Sequence, residues 1–379
     1  MRKEIVIIGG GVTGLFTAYF LSKKGFEDVV ILEKEFVGYG STGRCGSGIR
    51  AQFDNKKNIE DMRQSIKMWG ELAKELKFDF NQGGYLYLHY DEEELEKFRE
   101  IRRLQNSVGV PTQTVSPSQI EDINTYIDTS KLAGGTFNQK DGKADPFDVV
   151  FALKKWLGNT EIGIMQKTEV IGVGVEGKSI KAVKTSKDKI ETETVLNAAG
   201  GWAPKIGDMM GIKIPIAPFR HQAVITEPLK TGEVDPMVIA PKYANAYFTQ
   251  TKDGGIVGGV ETPPTEKTTY SMDESLDFEE RIAKIFTRIM PCLDQIRIIR
   301  HWAGYYAMTP DNNPLLGEFK LEGHYLAAGY SGHGYMMGPA VGKSMAELMV
   351  NGKSSIDLEY YDPYRIERGE LREVALKIG

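Results

Sequence analysis

The stretch Gly9-Gly10-Gly11-Val12-Thr13-Gly14 has the spacing Gly-x-Gly-x-x-Gly. Such glycines permit a tight turn and let backbone approach a pyrophosphate, whose charge is favoured at the positive end of a following helix. Glu33 lies roughly twenty residues further on, where a carboxylate can hold ribose hydroxyls. Together they point to a dinucleotide. Near the other end, Ser331-Gly332-His333-Gly334-Tyr335-Met336-Met337 forms a second glycine-rich turn ahead of a helix. Its amide donors and the helix end can stabilise negative charge on a bound group. Arg50 is the candidate for gripping a carboxylate through two parallel hydrogen bonds, against a structural ion pair or a phosphate contact. His333 has acid–base chemistry available, against a role in shaping its turn. Tyr306 and Tyr247 are divided between lining a pocket and packing. Arg44 is divided between a cofactor contact and a surface position, and Cys45 between a cofactor contact and a small packed residue. His221 and His301 have no ligand spacing, so no metal is expected, and Cys292 after Pro291 reads as core.

Elements must hold these residues in place. A buried strand at 4–8 leads into the first turn, a helix follows from Leu15 to Lys24, and Val29–Leu32 forms the next strand, ending on Glu33. Ile59, Met62, Ile66, Trp69, Leu72 and Leu76 recur at helical spacing. Tyr85–Leu88 reads as a strand, and Asp91 with Glu94 as a capping box for the helix carrying Leu95, Phe98, Ile101 and Leu104. Val195–Gly200 reads as a strand returning to the first unit. Gln222–Thr226, Ala246–Thr251 and Gly255–Val260, with a helix at Phe278–Ile289, suit an antiparallel sheet with one exposed face. His324–Gly329 is a further strand, and Pro339 suits the first position of the helix reaching Val350. The expected class is α/β, with a discontinuous nucleotide-binding domain (1–80, 141–215, 300–379) and an inserted α+β domain (81–140, 216–299) built on an antiparallel sheet.

Composition narrows the partners. The chain has 379 residues and a formal net charge of -5, with basic residues dispersed, which excludes a nucleic-acid footprint. No apolar run approaches a membrane span. The first strand starts too early for a signal peptide, and two cysteines form neither a disulfide framework nor a metal pattern. A cytoplasmic location is expected.

The Gly9–Gly14 turn, Glu33-Lys34, Ser41-Thr42-Gly43-Arg44-Cys45-Gly46 and its continuation to Arg50, Leu196–Trp202, Thr309-Pro310-Asp311 and Gly332-His333-Gly334 resemble the D-amino-acid oxidase superfamily. These are FAD enzymes that oxidise amino acids and secondary amines. The resemblance implies a Rossmann-like FAD-binding domain of the glutathione-reductase type. It places FAD on Gly9, Gly11, Val12, Thr13, Gly14, Glu33 and Lys34, then on Ser41, Thr42, Arg44, Cys45 and Gly46. Further contacts are implied at Val170, Ala199 and Gly200, and at Gly332, His333, Gly334, Tyr335 and Met336. Within the superfamily the chain is similar to sarcosine oxidases and to the catalytic beta subunit of archaeal dye-linked L-proline dehydrogenases. The wording Arg44–Arg50, Asp141–Pro146, Tyr335–Ala340 and Tyr361–Gly369 carries that closer likeness.

That closer resemblance implies a dehydrogenase converting L-proline to 1-pyrroline-5-carboxylate, with Cα–H aimed at flavin N5 and electrons leaving to FMN or a dye. It gives Arg50, His333 and Tyr306 as catalytic candidates, and Arg50, Tyr247, Tyr306 and Met336 as substrate contacts. Met336 replaces a lysine that relatives use as a second carboxylate anchor, which makes the pocket more apolar. Gly304 replaces a flavin-linking cysteine, so FAD is expected to be non-covalent. Ile256 is expected where oxidases carry an oxygen-activating lysine. Ala144 replaces a histidine that binds FMN, so an FMN at a subunit interface would be non-covalent. A larger alpha-type subunit is the implied partner. The alternatives are an oxidase of sarcosine, glycine or a D-amino acid, and a flavin-bearing scaffold or electron-transfer subunit.

Overall fold

The computed structural model describes residues 1–261 and 267–372; the expected ranges 216–299 and 300–379 extend in part outside these. A six-stranded sheet runs in the order Leu315–Glu318, His324–Ala328, Thr194–Asn197, Ile5–Ile8, Val29–Leu32, Gly163–Met165. All neighbours are parallel except the first pair. The central strands Ile-Val-Ile-Ile and Val-Val-Ile-Leu are buried at every residue, as a parallel sheet covered on both faces requires. Alternation sends Ile5, Ile7, Val29 and Ile31 into a core with Leu15, Phe16, Val149 and Val341 of three helices. Val6, Ile8, Val30 and Val195 face the other way, onto Ile180, Val183 and Ile190 of a three-stranded antiparallel sheet.

The helices Val12–Lys23 and Gly334–Asn351 pack closely because Gly338 and Gly342 present no side chain. A Cβ on Gly342 would lie 2.9 Å from the Phe16 carbonyl carbon, and one on Gly338 would lie 2.8 Å from a Val12 methyl. Pro339 sits inside the second of these helices rather than at its start. A proline ring displaces the carbonyls of the preceding turn. The Met336 carbonyl, in the turn before this proline, accepts Ser65 Oγ (2.6 Å) and Trp69 Nε1 (2.9 Å). These partners belong to the amphipathic helix Lys56–Leu76.

A second, eight-stranded sheet runs Ile298–Met308, Ala217–Thr226, Ile256–Gly259, Ala246–Gln250, Met237–Ala240, Tyr85–His89, Gly134–Asn138, Gln113–Val115. It is antiparallel except where Met237–Ala240 runs parallel to Tyr85–His89. The strand Ile298–Met308 straddles residue 300. The expected solvent face is covered over the middle of this sheet: Tyr85–His89 and Ala246–Gln250 are buried throughout. One side packs on the helix Leu276–Ile289 through Phe248, Ile256, Ile282 and Phe286. The other gathers Tyr85, Tyr87, Met237, Ile239 and Tyr247 and looks toward the parallel sheet.

Two local expectations change. Asp91 caps the helix Glu92–Ser107 by accepting the Glu94 amide, while the Glu94 carboxylate turns to His89 Nδ1 at 3.4 Å. The reciprocal capping box forms instead at Ser116 and Gln119. Cys292 is exposed, because the short turn after Pro291 buries Leu293.

Candidate active site

A long cavity lies between the two sheets, beyond the carboxyl ends of the parallel strands, where such sheets bind ligands. At one end Gly9 adopts φ +115°, which a side chain would strain, and a Cβ there would meet the Ala198 carbonyl oxygen at 2.4 Å. The helix starts at Gly11, which has no side chain to cap it, so Gly11, Val12 and Thr13 wall the cavity with first-turn backbone. Thr42 Oγ1 accepts the Val12 amide at 3.0 Å, and Thr13 Oγ1 donates to Tyr330 Oη at 3.1 Å, joining the two glycine-rich turns. Glu33 accepts amides from Gly10 and Glu35, both at 2.9 Å, leaving lone pairs on each oxygen. Burial pushes its pKa up. Lys34 Nζ sits 3.8 Å over the Trp202 ring.

Further along, Ser41 Oγ donates to the Tyr305 carbonyl and Trp302 Nε1 to the Arg44 carbonyl, binding the 41–46 loop to the second sheet. Arg44 stacks at 4.4 Å on Tyr39 and fills the space a Cβ on Gly304 would need. Cys45 Sγ lies 3.1 Å from the Thr42 carbonyl, and burial pushes its thiol up to about 12. That holds it protonated and unreactive.

The other end of the cavity has an aromatic wall. His221 pairs across the strands with Gly304, and Tyr247 with Gly259. Gly259 leaves room for the Tyr247 ring, since a Cβ there would lie 2.8 Å from Tyr247 Oη. His221 stacks on Tyr306 (4.1 Å, 11°) and on Tyr247 (5.9 Å, 12°), with Nε2 3.2 Å from Tyr247 Oη. Burial and the nearby Arg281 charge push the His221 pKa down to about 3. The unfolded chain's imidazole takes a proton near pH 6.5, so between these values the unfolded state binds more protons. Stability is then complete above pH 6.5 and falls as pH drops toward 3. Urea midpoints of wild type and His221→Phe should diverge between pH 7 and 5, wild type losing about 2 kcal/mol more. Parallel curves would show that His221 is not held neutral.

Arg50 is 2 % exposed and lines the cavity. Its Nη1 donates to the Gln52 carbonyl (2.7 Å), its Nη2 lies 3.2 Å from His333 Nε2, and its guanidinium lies 4.2 Å over Phe53. His333 itself does not line the cavity: its ring packs edge-on against Phe53 at 5.0 Å, behind Arg50. Gly14 also lies off the cavity, where its missing Cβ would meet the Gly9 carbonyl at 2.1 Å. Every other residue singled out from the sequence as a catalytic, cofactor or substrate candidate lines the cavity, from Gly9 to Met336.

Sequence reasoning missed His221, Tyr85, Met237 and Lys205, all of which line it. The strand pattern around His221 was visible, but which neighbour lay across from it was not. Ile256 is a correction: it is fully buried against the Leu276–Ile289 helix and does not line the cavity. Strand alternation turns it away, so its identity bears on no charge beside a cofactor. Among the described residues no His, Cys, Asp and Glu cluster could hold a metal ion, and no helix is long and apolar enough to cross a membrane.

The sequence profile of the family described as FAD dependent oxidoreductase matches residues 4–348. The structure is similar to L-proline dehydrogenase from P. horikoshii, with TM-score 0.94 and 46% identity, covering 98% of this chain and 99% of that one. Sarcosine oxidase subunit beta of Rhodobacter capsulatus is 26% identical over 385 residues, covering 100% of this chain and 92% of that protein. Glycine oxidase from Geobacillus kaustophilus shares the fold, with TM-score 0.88 at 22% identity, covering 96% of this chain and 99% of that one. The helix start at Gly11, the buried Glu33 and the glycine turns fit FAD along the cavity, and the chain belongs to the FAD-dependent oxidoreductase family.

Proposed function

We propose that the chain is the catalytic subunit of an L-proline dehydrogenase, oxidising L-proline to 1-pyrroline-5-carboxylate and passing electrons to a non-covalent FMN at a subunit interface or to a dye. The observation that carries this reading is a buried arginine facing a cavity that also has a wall of stacked rings. Similarity to L-proline dehydrogenase from P. horikoshii over nearly the whole chain supports it. The FMN and a larger partner subunit rest on the sequence resemblance.

Gly9, Gly11–Thr13, Glu33, Thr42, Ala199 and Gly332 would hold the FAD, which when bound supplies the hydride acceptor. Arg50 fixes the substrate carboxylate, and the fork sets orientation as well as position. His221, Tyr306, Tyr247 and Met336 enclose the pyrrolidine ring and exclude water. Neutral His221 adds no charge to compete with Arg50 for the carboxylate. The product dictates which hydride leaves. Loss from Cα, the geometry implied by the resemblance, gives 1-pyrroline-2-carboxylate; 1-pyrroline-5-carboxylate requires the C5–H bond to break with its electron pair. C5=N forms with its proton still on nitrogen, and that proton passes to solvent when the product leaves the enclosed site.

Anaerobic bleaching of the flavin absorbance by L-proline, sarcosine and D-proline tests the reading. L-proline alone is expected to bleach it rapidly, with a primary isotope effect from deuterium at C5 and none from C2. Bleaching by sarcosine with peroxide formation in air would instead establish an oxidase, which full-length similarity to a sarcosine oxidase beta subunit favours as the second reading.

A further inference from the structure

The two-residue strands Gly48–Ile49 and Gly142–Lys143 pair antiparallel, Ile49 opposite Gly142. One more residue of that register sets Asp141 opposite Arg50. Asp141 is 0 % exposed, does not line the cavity, and gathers three N–H donors. The Ala51 amide (2.9 Å) and Asn138 Nδ2 (2.8 Å) reach Oδ1, and Gln52 Nε2 (3.0 Å) reaches Oδ2. Gln52 Nε2 also donates to the Tyr85 carbonyl (3.0 Å), and the Gln52 carbonyl accepts Arg50 Nη1. The carboxylate thus holds both residues after Arg50, and the second of them holds the guanidinium. Asn138 and Tyr85 lie on the eight-stranded sheet, so the same group ties the arginine's loop to the sheet carrying the aromatic wall. Burial pushes Asp141 up to about 7, against the pull of its donors and of Arg50. A carboxyl group this far from water needs hydrogen-bond partners, and here two of the three donors belong to the residues that follow Arg50.

We propose that Asp141 is a positioning residue that aims Arg50 at the substrate carboxylate, acting through the 51–52 backbone and the Gln52 side chain. This rests on the reading of Arg50 as the carboxylate anchor.

The test uses full-length, FAD-loaded Asp141→Asn, Arg50→Met and the double variant. Each is titrated with tetrahydrofuran-2-carboxylate, a ring acid that cannot be oxidised to an imine, and with pyrrolidine, which lacks the carboxylate; flavin absorbance reports binding. Asp141→Asn should weaken the ring acid about tenfold and leave pyrrolidine unchanged, with KM for L-proline raised in step and kcat within about twofold. Arg50→Met should weaken the ring acid about 100-fold, and the double variant no further, because residues acting through one another are not additive. Unchanged ring-acid binding in Asp141→Asn, or additive losses, would overturn the proposal while leaving Arg50 as anchor. Unchanged binding in Arg50→Met would remove the anchor reading itself. Should Asp141→Asn fail to fold, Gln52→Met cuts the same link: selective weakening of the ring acid is expected, and equal loss for both probes overturns the proposal.

Discussion

Arg50→Met is expected to raise KM for L-proline by about 100-fold or more while FAD stays bound. Truncating one partner of a buried, hydrogen-bonded charge pair costs about 2–5 kcal/mol, and each 1.4 kcal/mol is about a factor of ten. Arg50 belongs near the upper part of that range because its carboxylate partner would lie in a buried site walled by aromatic rings, where little water replaces a lost hydrogen bond. Arg50→Lys keeps the charge and loses the fork, so it should fall between wild type and Met. The measurements are steady-state kinetics with a dye acceptor and the flavin-to-protein absorbance ratio. A KM unchanged in Arg50→Met would place the carboxylate on another group.

The largest stability effect is expected at Arg365. Nε and Nη2 grip Asp311 at 2.8 Å each, and the remaining N–H groups reach the carbonyls of Asn313 (2.9 Å), Pro314 (3.0 Å) and Tyr361 (2.9 Å). Both side chains are almost wholly out of water. Burial alone would raise the Asp311 pKa, but the hydrogen bond and charge of Arg365 outweigh it and hold the pKa below the ordinary value. Stability from this group is therefore present above pH 4 and lost as pH falls through the lowered value. Arg365→Met leaves Asp311 buried and uncompensated and should cost about 3–5 kcal/mol. Adding Asp311→Leu removes the stranded charge and should recover much of that loss. Chemical denaturation of the three proteins decides it; a double variant as unstable as the single one would mean the pair contributes more than compensation for its own desolvation.

The features legible in the sequence are those set by local demands. Gly9 needs a backbone conformation that side chains resist, and hydrophobic spacing declares the 56–76 helix whatever surrounds it. Pro339 was misplaced because proline suits a helix start, whereas the helix continues before it, in a turn whose Met336 carbonyl is held by Ser65 and Trp69, more than 260 residues away. Ile256 and His221 failed for a related reason. Alternation reveals that a strand has two faces and says nothing of which faces the cavity. His221 stacks on Tyr247 and Tyr306 of other strands, and no window around residue 221 contains either.

The Thr13 hydroxyl meets the Tyr330 phenol across 317 residues of chain. During synthesis the first glycine turn leaves the ribosome long before the residues that close the other side of its cavity exist. Stable capture of FAD must therefore await synthesis of the second glycine turn, and until then the chain elongates with that cleft open. Cofactor supply then acts by mass action on a chain that already carries both turns, and protects it only from that point.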